Sequence, residues 1–236
     1  MKDKEIDDIL RASHEVDPAL LARVSASMNA TLRPVRPLAS APVLAAELVS
    51  ASAIVAVTAA WWLGFYGIRK LDVAEIGSIF PALLIFTWLA ALLSVAEMTP
   101  GGLRWKNPEI MEPVMRNRGM LLLVVILIWT GVAAIFFRDY ELGAFVPEGV
   151  RCLCAGLVVA VPAGVGGWLL LRRGFAMNPA GAGLAAGTLA GLAGLLMLEI
   201  HCPNFLAPHI MLWHTAVVPV SALVGSLLTR IAGRRS

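Results

Sequence analysis

Residues 119–137 read GMLLLVVILIWTGVAAIFF, nineteen positions in a row without one charged side chain. A helix crosses the hydrocarbon of a bilayer with about 20 mostly apolar residues. Inside lipid, every backbone N–H and C=O must be paired within the segment, which makes such a block a helix. Working outward, five more blocks have the same character. Two precede it, at about 43–66 and 73–98, and three follow, at about 150–171, 180–200 and 208–231. The first closes on Trp61, Trp62, Phe65 and Tyr66, aromatics that suit a membrane interface. The 236 residues are 58% apolar and 15% charged, with a mean hydropathy of +0.78. Soluble domains are roughly a quarter charged, so lipid is the relevant solvent. The expected fold is an all-α integral membrane protein: six transmembrane helices over 43–231, a short cytoplasmic helical arm over 1–42, and a basic cytoplasmic tail over 232–236.

Charge sets the expected orientation. The arm, the loops after the second and fourth blocks, and the tail carry 15 Lys and Arg, against four (Arg69, Lys70, Arg138, Arg151) on the other side. Basic loops stay in the cytoplasm, so both termini are expected there. The formal net charge of +3 is too small to argue for nucleic acid. The arm holds many charges and four prolines, and no removable signal peptide is expected in it.

In the arm, Ile6, Ile9 and Leu10 give a short amphipathic stretch. Asp17-Pro18 is a helix start, with Asp as the cap and Pro at the first helical position. Leu21, Val24, Met28 and Leu32 then line one face, and Arg33-Pro34-Val35-Arg36-Pro37 favours an extended segment. So short an arm cannot bury its own apolar stripe. Lipid headgroups, the membrane domain or a cytoplasmic protein partner must cover it.

Chemistry gathers at three block ends. Cys152 and Cys154 open the fourth block, His201-Cys202-Pro203 closes the fifth, and His209 and His214 open the sixth. On the charge pattern, all of them lie at the extracytoplasmic level, where thiols can be oxidised. A helix start or a neighbouring imidazole activates a thiol, two thiols can form a reversible disulfide, and sulfur with imidazole suits zinc, copper or heavier ions. The plain alternative is cysteines that simply pack well. An α-helical period puts His209 on one face with Trp213 and turns His214 elsewhere. Gly183, Gly187 and Gly191 recur every four residues, a helix-packing stripe that could also serve a homodimer. Glu47, Glu75, Glu97 and Glu199 lie near block ends, where water is within reach, and no carboxylate sits at mid-membrane, which argues against an ion-coupled transporter. Gly164-Val165-Gly166-Gly167 lies inside a block and is no nucleotide-binding loop.

Several of these residues form a larger pattern. Gly149-x-x-Cys152-Leu153-x-x-Gly156 is followed by Leu171-Arg172-Arg173-Gly174 and Pro179, then by the glycine stripe, His201-Cys202-Pro203, Trp213 and a final Gly-Arg-Arg. This order resembles the NrsF-type family, membrane-bound negative regulators of an extracytoplasmic-function sigma factor. The resemblance implies a bacterial inner-membrane anti-sigma factor, not an enzyme and without a resident cofactor. Its cytoplasmic side would hold the sigma factor inactive until a metal or oxidant acts on extracytoplasmic thiols, with heavy-metal binding at most transient. The family's paired cysteines map onto Cys152 and Cys202, and Cys154 is an additional thiol, so the partner of Cys202 on the fourth block stays open. His214 stands where family members often carry Tyr, and adds a candidate ligand beside His201 and His209. The arm lacks the His and Cys set of zinc-binding anti-sigma domains, so sigma contact falls to another surface, Leu21 to Pro37 being the candidate. Two other readings are a membrane thiol oxidoreductase working with a quinone, which would turn over a dithiol, and a small metal transporter.

Overall fold

The structure is a computed structural model and describes residues 18–31, 39–98, 118–142, 144–171, 174, 176 and 178–233. Every regular element among the described residues is helical. The chain divides into two units, 1–37 and 38–236.

The first unit contributes α1, Pro18–Thr31, with Pro18 at its first position as the sequence predicts. Leu20, Leu21, Val24 and Met28 are exposed along it. Leu32, Pro34, Val35 and Pro37, expected to extend the partner-binding surface, lie outside the described residues, as do Ile6, Ile9 and Leu10.

The second unit holds α2 (Ala41–Leu63), α3 (Val73–Met98), α4 (Arg118–Phe136), α5 (Phe145–Leu171), α6 (Pro179–His201) and α7. The last runs through Ala207–His209, a π-helical turn Ile210–His214, and Thr215–Gly233. Five of these helices (α2, α3, α5, α6 and α7) are long and apolar enough to cross a membrane, which makes this a membrane protein. The block at 119–137 forms α4, a helix of 19 residues. It inserts Trp129 and Ala133 into the core.

Helix α6 is the hub, packing against α2, α3, α5 and α7. Its sequence alternates Ala, Gly and Leu, and small residues let backbones approach where lipid gives helices no hydrophobic reason to associate. The three glycines of the stripe face α7: a Cβ on Gly183 would meet Gly225 and Thr229, one on Gly187 would meet the backbone of Ser221 and Ala222, and one on Gly191 would sit 2.7 Å from the Val218 Cα. The stripe is therefore filled within the chain, and a homodimer would need another surface.

Both ends of α6 are tied. Asn178 caps its start, its side chain accepting from the Gly181 N–H at 3.1 Å, with Pro179 in the first helical position. At the other end, the segment after α2 lies across the last turn: the Gly67 N–H donates to the His201 carbonyl at 3.1 Å and the Ile68 N–H to the Ile200 carbonyl at 3.0 Å. Those carbonyls have no partner within the helix itself. The segment then enters α3 through a reciprocal capping box between Asp72 and Glu75, with bonds of 2.8 and 2.7 Å.

Candidate thiol–imidazole site

The site assembles where α5, the α6–α7 loop and the first turns of α7 converge. Helix α5 begins at Phe145, ahead of the apolar block, because Pro147 and Glu148 suit a first turn although they lower hydropathy. Cys152 thus sits two turns inside a helix and not at its start, which corrects the expectation that a helix N-terminus activates it. It is half-buried, whereas Cys154, two positions on and so turned to the other side of the helix, is exposed. Cys202 is the residue after α6 and ends that helix, its N–H donating to the Leu198 carbonyl at 2.7 Å. Pro203, which cannot continue a helix, follows. The buried Cys202 thiol lies 3.4 Å, sulfur to sulfur, from Cys152.

A strap of polar contacts holds this loop. Asn204 Nδ2 donates to Glu148 Oε2 at 2.7 Å, Lys70 Nζ donates to the Pro203 carbonyl at 3.1 Å, and the Leu206 N–H donates to Asn204 Oδ1 at 3.1 Å. The Ala207 N–H reaches the Asp139 carbonyl at 2.7 Å, and Phe137 and Phe205 stack 5.5 Å apart.

The π turn decides which histidines meet. Five residues along an α-helix point side chains about 140° apart, as the sequence suggests for His209 and His214. In Ile210–His214 the backbone takes the wider winding, with the Thr215 N–H reaching back to the Ile210 carbonyl. His209 and His214 therefore fall on the same face, rings 5.1 Å apart and nearly perpendicular. This corrects the expectation that His209 shares its face with Trp213 while His214 points elsewhere. Trp213 instead covers Gly149 of α5, where any Cβ would collide with its indole, and packs on Phe145.

His209 Nε2 is 3.7 Å from the Cys202 sulfur. His214 Nδ1 is 2.9 Å from Glu199 Oε1, both side chains fully buried. The expectation that Glu199 reaches water fails: its side chain is fully buried against His214, at the end of α6 where the Gly67–Ile68 segment is bonded across the last turn. One ligand atom from each of Cys152, Cys202, His209 and His214 can be chosen so that all four lie within 4.8 Å of one another. His209 Nδ1, His214 Nε2 and Glu199 Oε2 are buried without a protein partner. His201 stands apart: its Nδ1 is 2.8 Å from the Gly64 carbonyl, and its ring meets the edge of Tyr66. In the loop, the Cys202 thiol is held above its ordinary pKa, first by its hydrogen bond with Cys152 and then by burial, with His209 and His214 acting in the opposite direction.

Chemically, two sulfurs at this distance can close to a disulfide with a movement of about 1.4 Å, given an S–S bond near 2.0 Å. Two sulfurs and two imidazoles can also hold a borderline-soft cation. Glu199 is the participant that sequence reasoning missed. Its signal was available, since it is the one carboxylate within three residues of the His-Cys-Pro segment.

Compared with known protein families, residues 28–234 match the family described as negative regulator of sigma F, NrsF. No curated protein and no solved structure matches the chain.

Proposed function

The chain belongs to the NrsF family of negative regulators of sigma F, and from that membership we propose a transmembrane anti-sigma factor that senses a metal or an oxidant. Negative regulation of a sigma factor is the family's role. The finer reading is that the protein crosses the bacterial inner membrane six times with both termini in the cytoplasm, and holds a sigma factor of the extracytoplasmic-function type. The distribution of basic residues supports that orientation. The exposed stripe Leu21, Val24 and Met28 on α1, with Leu32, Pro34, Val35 and Pro37 after it, is the sigma-binding surface in this reading.

One observation carries the sensing half: the 3.4 Å approach of Cys152 on α5 to Cys202 at the end of α6. A signal bonded to both sulfurs ties α5 to the α6–α7 loop. It releases the sigma factor only if it binds the released packing better than the holding one. A tenfold shift in the bound fraction needs about 1.4 kcal/mol of coupling, well within what a disulfide supplies. The test is co-purification of the full chain, solubilised in detergent, with the sigma factors of its host. An extracytoplasmic-function sigma factor should accompany the protein and leave on addition of Zn²⁺ or a thiol oxidant. Cys202→Ser should keep binding and lose release. A Cys152→Ser/Cys202→Ser chain that still released normally would remove the thiol mechanism.

A further inference from the structure

We propose that Cys152, Cys202, His209 and His214 form a tetrahedral S2N2 site for a d10 dication of the Zn²⁺ class, and that Glu199 positions His214 as a ligand. Such a site is the receiving end of the sensor proposed above, on which its biological meaning rests.

Three observations carry it. The first is fit. Metal–sulfur bonds of about 2.3 Å and metal–nitrogen bonds of about 2.0 Å set ligand–ligand edges of about 3.3–3.8 Å in a tetrahedron. The sulfur–sulfur distance of 3.4 Å and the Cys202–His209 distance of 3.7 Å already lie there. The widest separation, within 4.8 Å, needs about 1 Å of contraction, a rotamer adjustment rather than a helix movement. The second is the orphaned nitrogen. With Nδ1 bonded to Glu199, His214 offers Nε2, which is buried and unpartnered. A buried polar atom without a partner is costly, and a metal would satisfy it. The third is the Glu199–His214 pair itself. A carboxylate accepting from the second ring nitrogen is the usual way a metal-binding histidine is held in one tautomer.

Donor chemistry selects the ion. Two thiolates with two imidazoles favour Zn²⁺ and its heavier relatives over Mg²⁺ or Ca²⁺, which demand oxygen. On binding, both thiols give up their protons to water as the two metal–sulfur bonds form, any proton on His214 Nε2 leaves to water as that nitrogen takes the metal, and no electron moves. The two thiolates balance the dication, and the buried Glu199 carboxylate is met by the His214 Nδ1–H. Cys154, exposed on another face of α5, takes no part.

The experiment uses the reduced full chain in nanodiscs, without any sigma factor. Co²⁺ supplies the spectrum, and Zn²⁺ competed against a chelator supplies the affinity. One ion per chain is expected, with the intense absorption of tetrahedral cobalt and sulfur-to-cobalt charge transfer. Cys152→Ser, Cys202→Ser and His214→Ala should each lower affinity by more than 100-fold, and Cys154→Ser should leave it unchanged. Glu199→Gln, similar in shape and therefore robust to folding, should keep stoichiometry and spectrum yet weaken binding about 10–100-fold. A pale octahedral spectrum, a requirement for Cys154, or full affinity in folded Glu199→Gln or Cys152→Ser protein would overturn the assignment. A chain that bound Co²⁺ in this way but captured no sigma factor would instead overturn the reading of the previous subsection.

Discussion

The two ends of the α6–α7 hairpin are built on opposite rules. At one end, Gly183 and Gly187 let α6 settle onto the backbone of Ser221, Ala222 and Gly225, so shape decides the contact and little there can react. At the other end, Glu199, Cys202, His209 and His214 bring ionisable side chains into a closed space. Among the described residues, buried side-chain atoms without a partner include Ser221 Oγ at the glycine end, but Glu199 Oε2, His209 Nδ1, Trp213 Nε1 and His214 Nε2 at the other. Sequences agree with their fold at every level except where function intrudes, and this concentration of unmet groups is what the proposed sensing role would leave. One end of the hairpin is closed by backbone packing, and the other holds buried polar atoms without a partner.

The largest effect should come from separating the buried pair. Glu199→Leu leaves His214 sealed in without its acceptor, a change expected to cost about 3–5 kcal/mol. Adding His214→Leu should recover most of that loss, because apolar residues of similar volume replace a buried ion pair at little or no net cost. Thermal unfolding in detergent measures both. If the double variant were as unstable as the single, the pair would be structural, and the contrast between the two ends would dissolve.

A smaller effect is expected at the glycine end. Gly187→Val drives two methyls against the α7 backbone and should cost about 1–3 kcal/mol. Per folded chain, reactivity of the Cys152 and Cys202 thiols should not change. A variant that was fully stable but had altered thiol reactivity would show that α6 transmits between its ends as a rigid lever, and the two regions would be one device.

How far the sequence reveals each end follows from the same contrast. The packing end is legible because its signal is local: small residues every four positions on a known helix. The convergence of thiols and imidazoles is legible too, since block ends and basic loops place Cys152, Cys202, His209 and His214 at one level. Three details are not. The π turn depends on one backbone bond reaching from Thr215 to Ile210 rather than Met211, and no residue in Ile210–His214 dictates it. Glu199 is buried against His214, 15 residues on and on another helix, so its burial has no local trace. The start of α5 reads too late from hydropathy because Pro147 and Glu148 look like polar loop, although they are good first-turn residues.

The smallest disturbance tests the largest premise. Glu141 is exposed in the loop between α4 and α5, on the stretch whose Asp139 carbonyl anchors the start of α7, and so belongs to the thiol end of the bundle. Glu141→Cys should change stability by no more than about 0.5 kcal/mol, as exposed substitutions do. In a chain whose own thiols are replaced by serine, this single cysteine should react with an impermeant maleimide added to intact cells whose outer membrane has been opened. Arg69, Lys70, Arg138 and Arg151 are the few basic residues at this end, and their scarcity is what points it outward. Labelling only after the inner membrane is breached would turn the molecule over. The thiol site would then face the sigma factor's own compartment, and no signal from outside could reach it first.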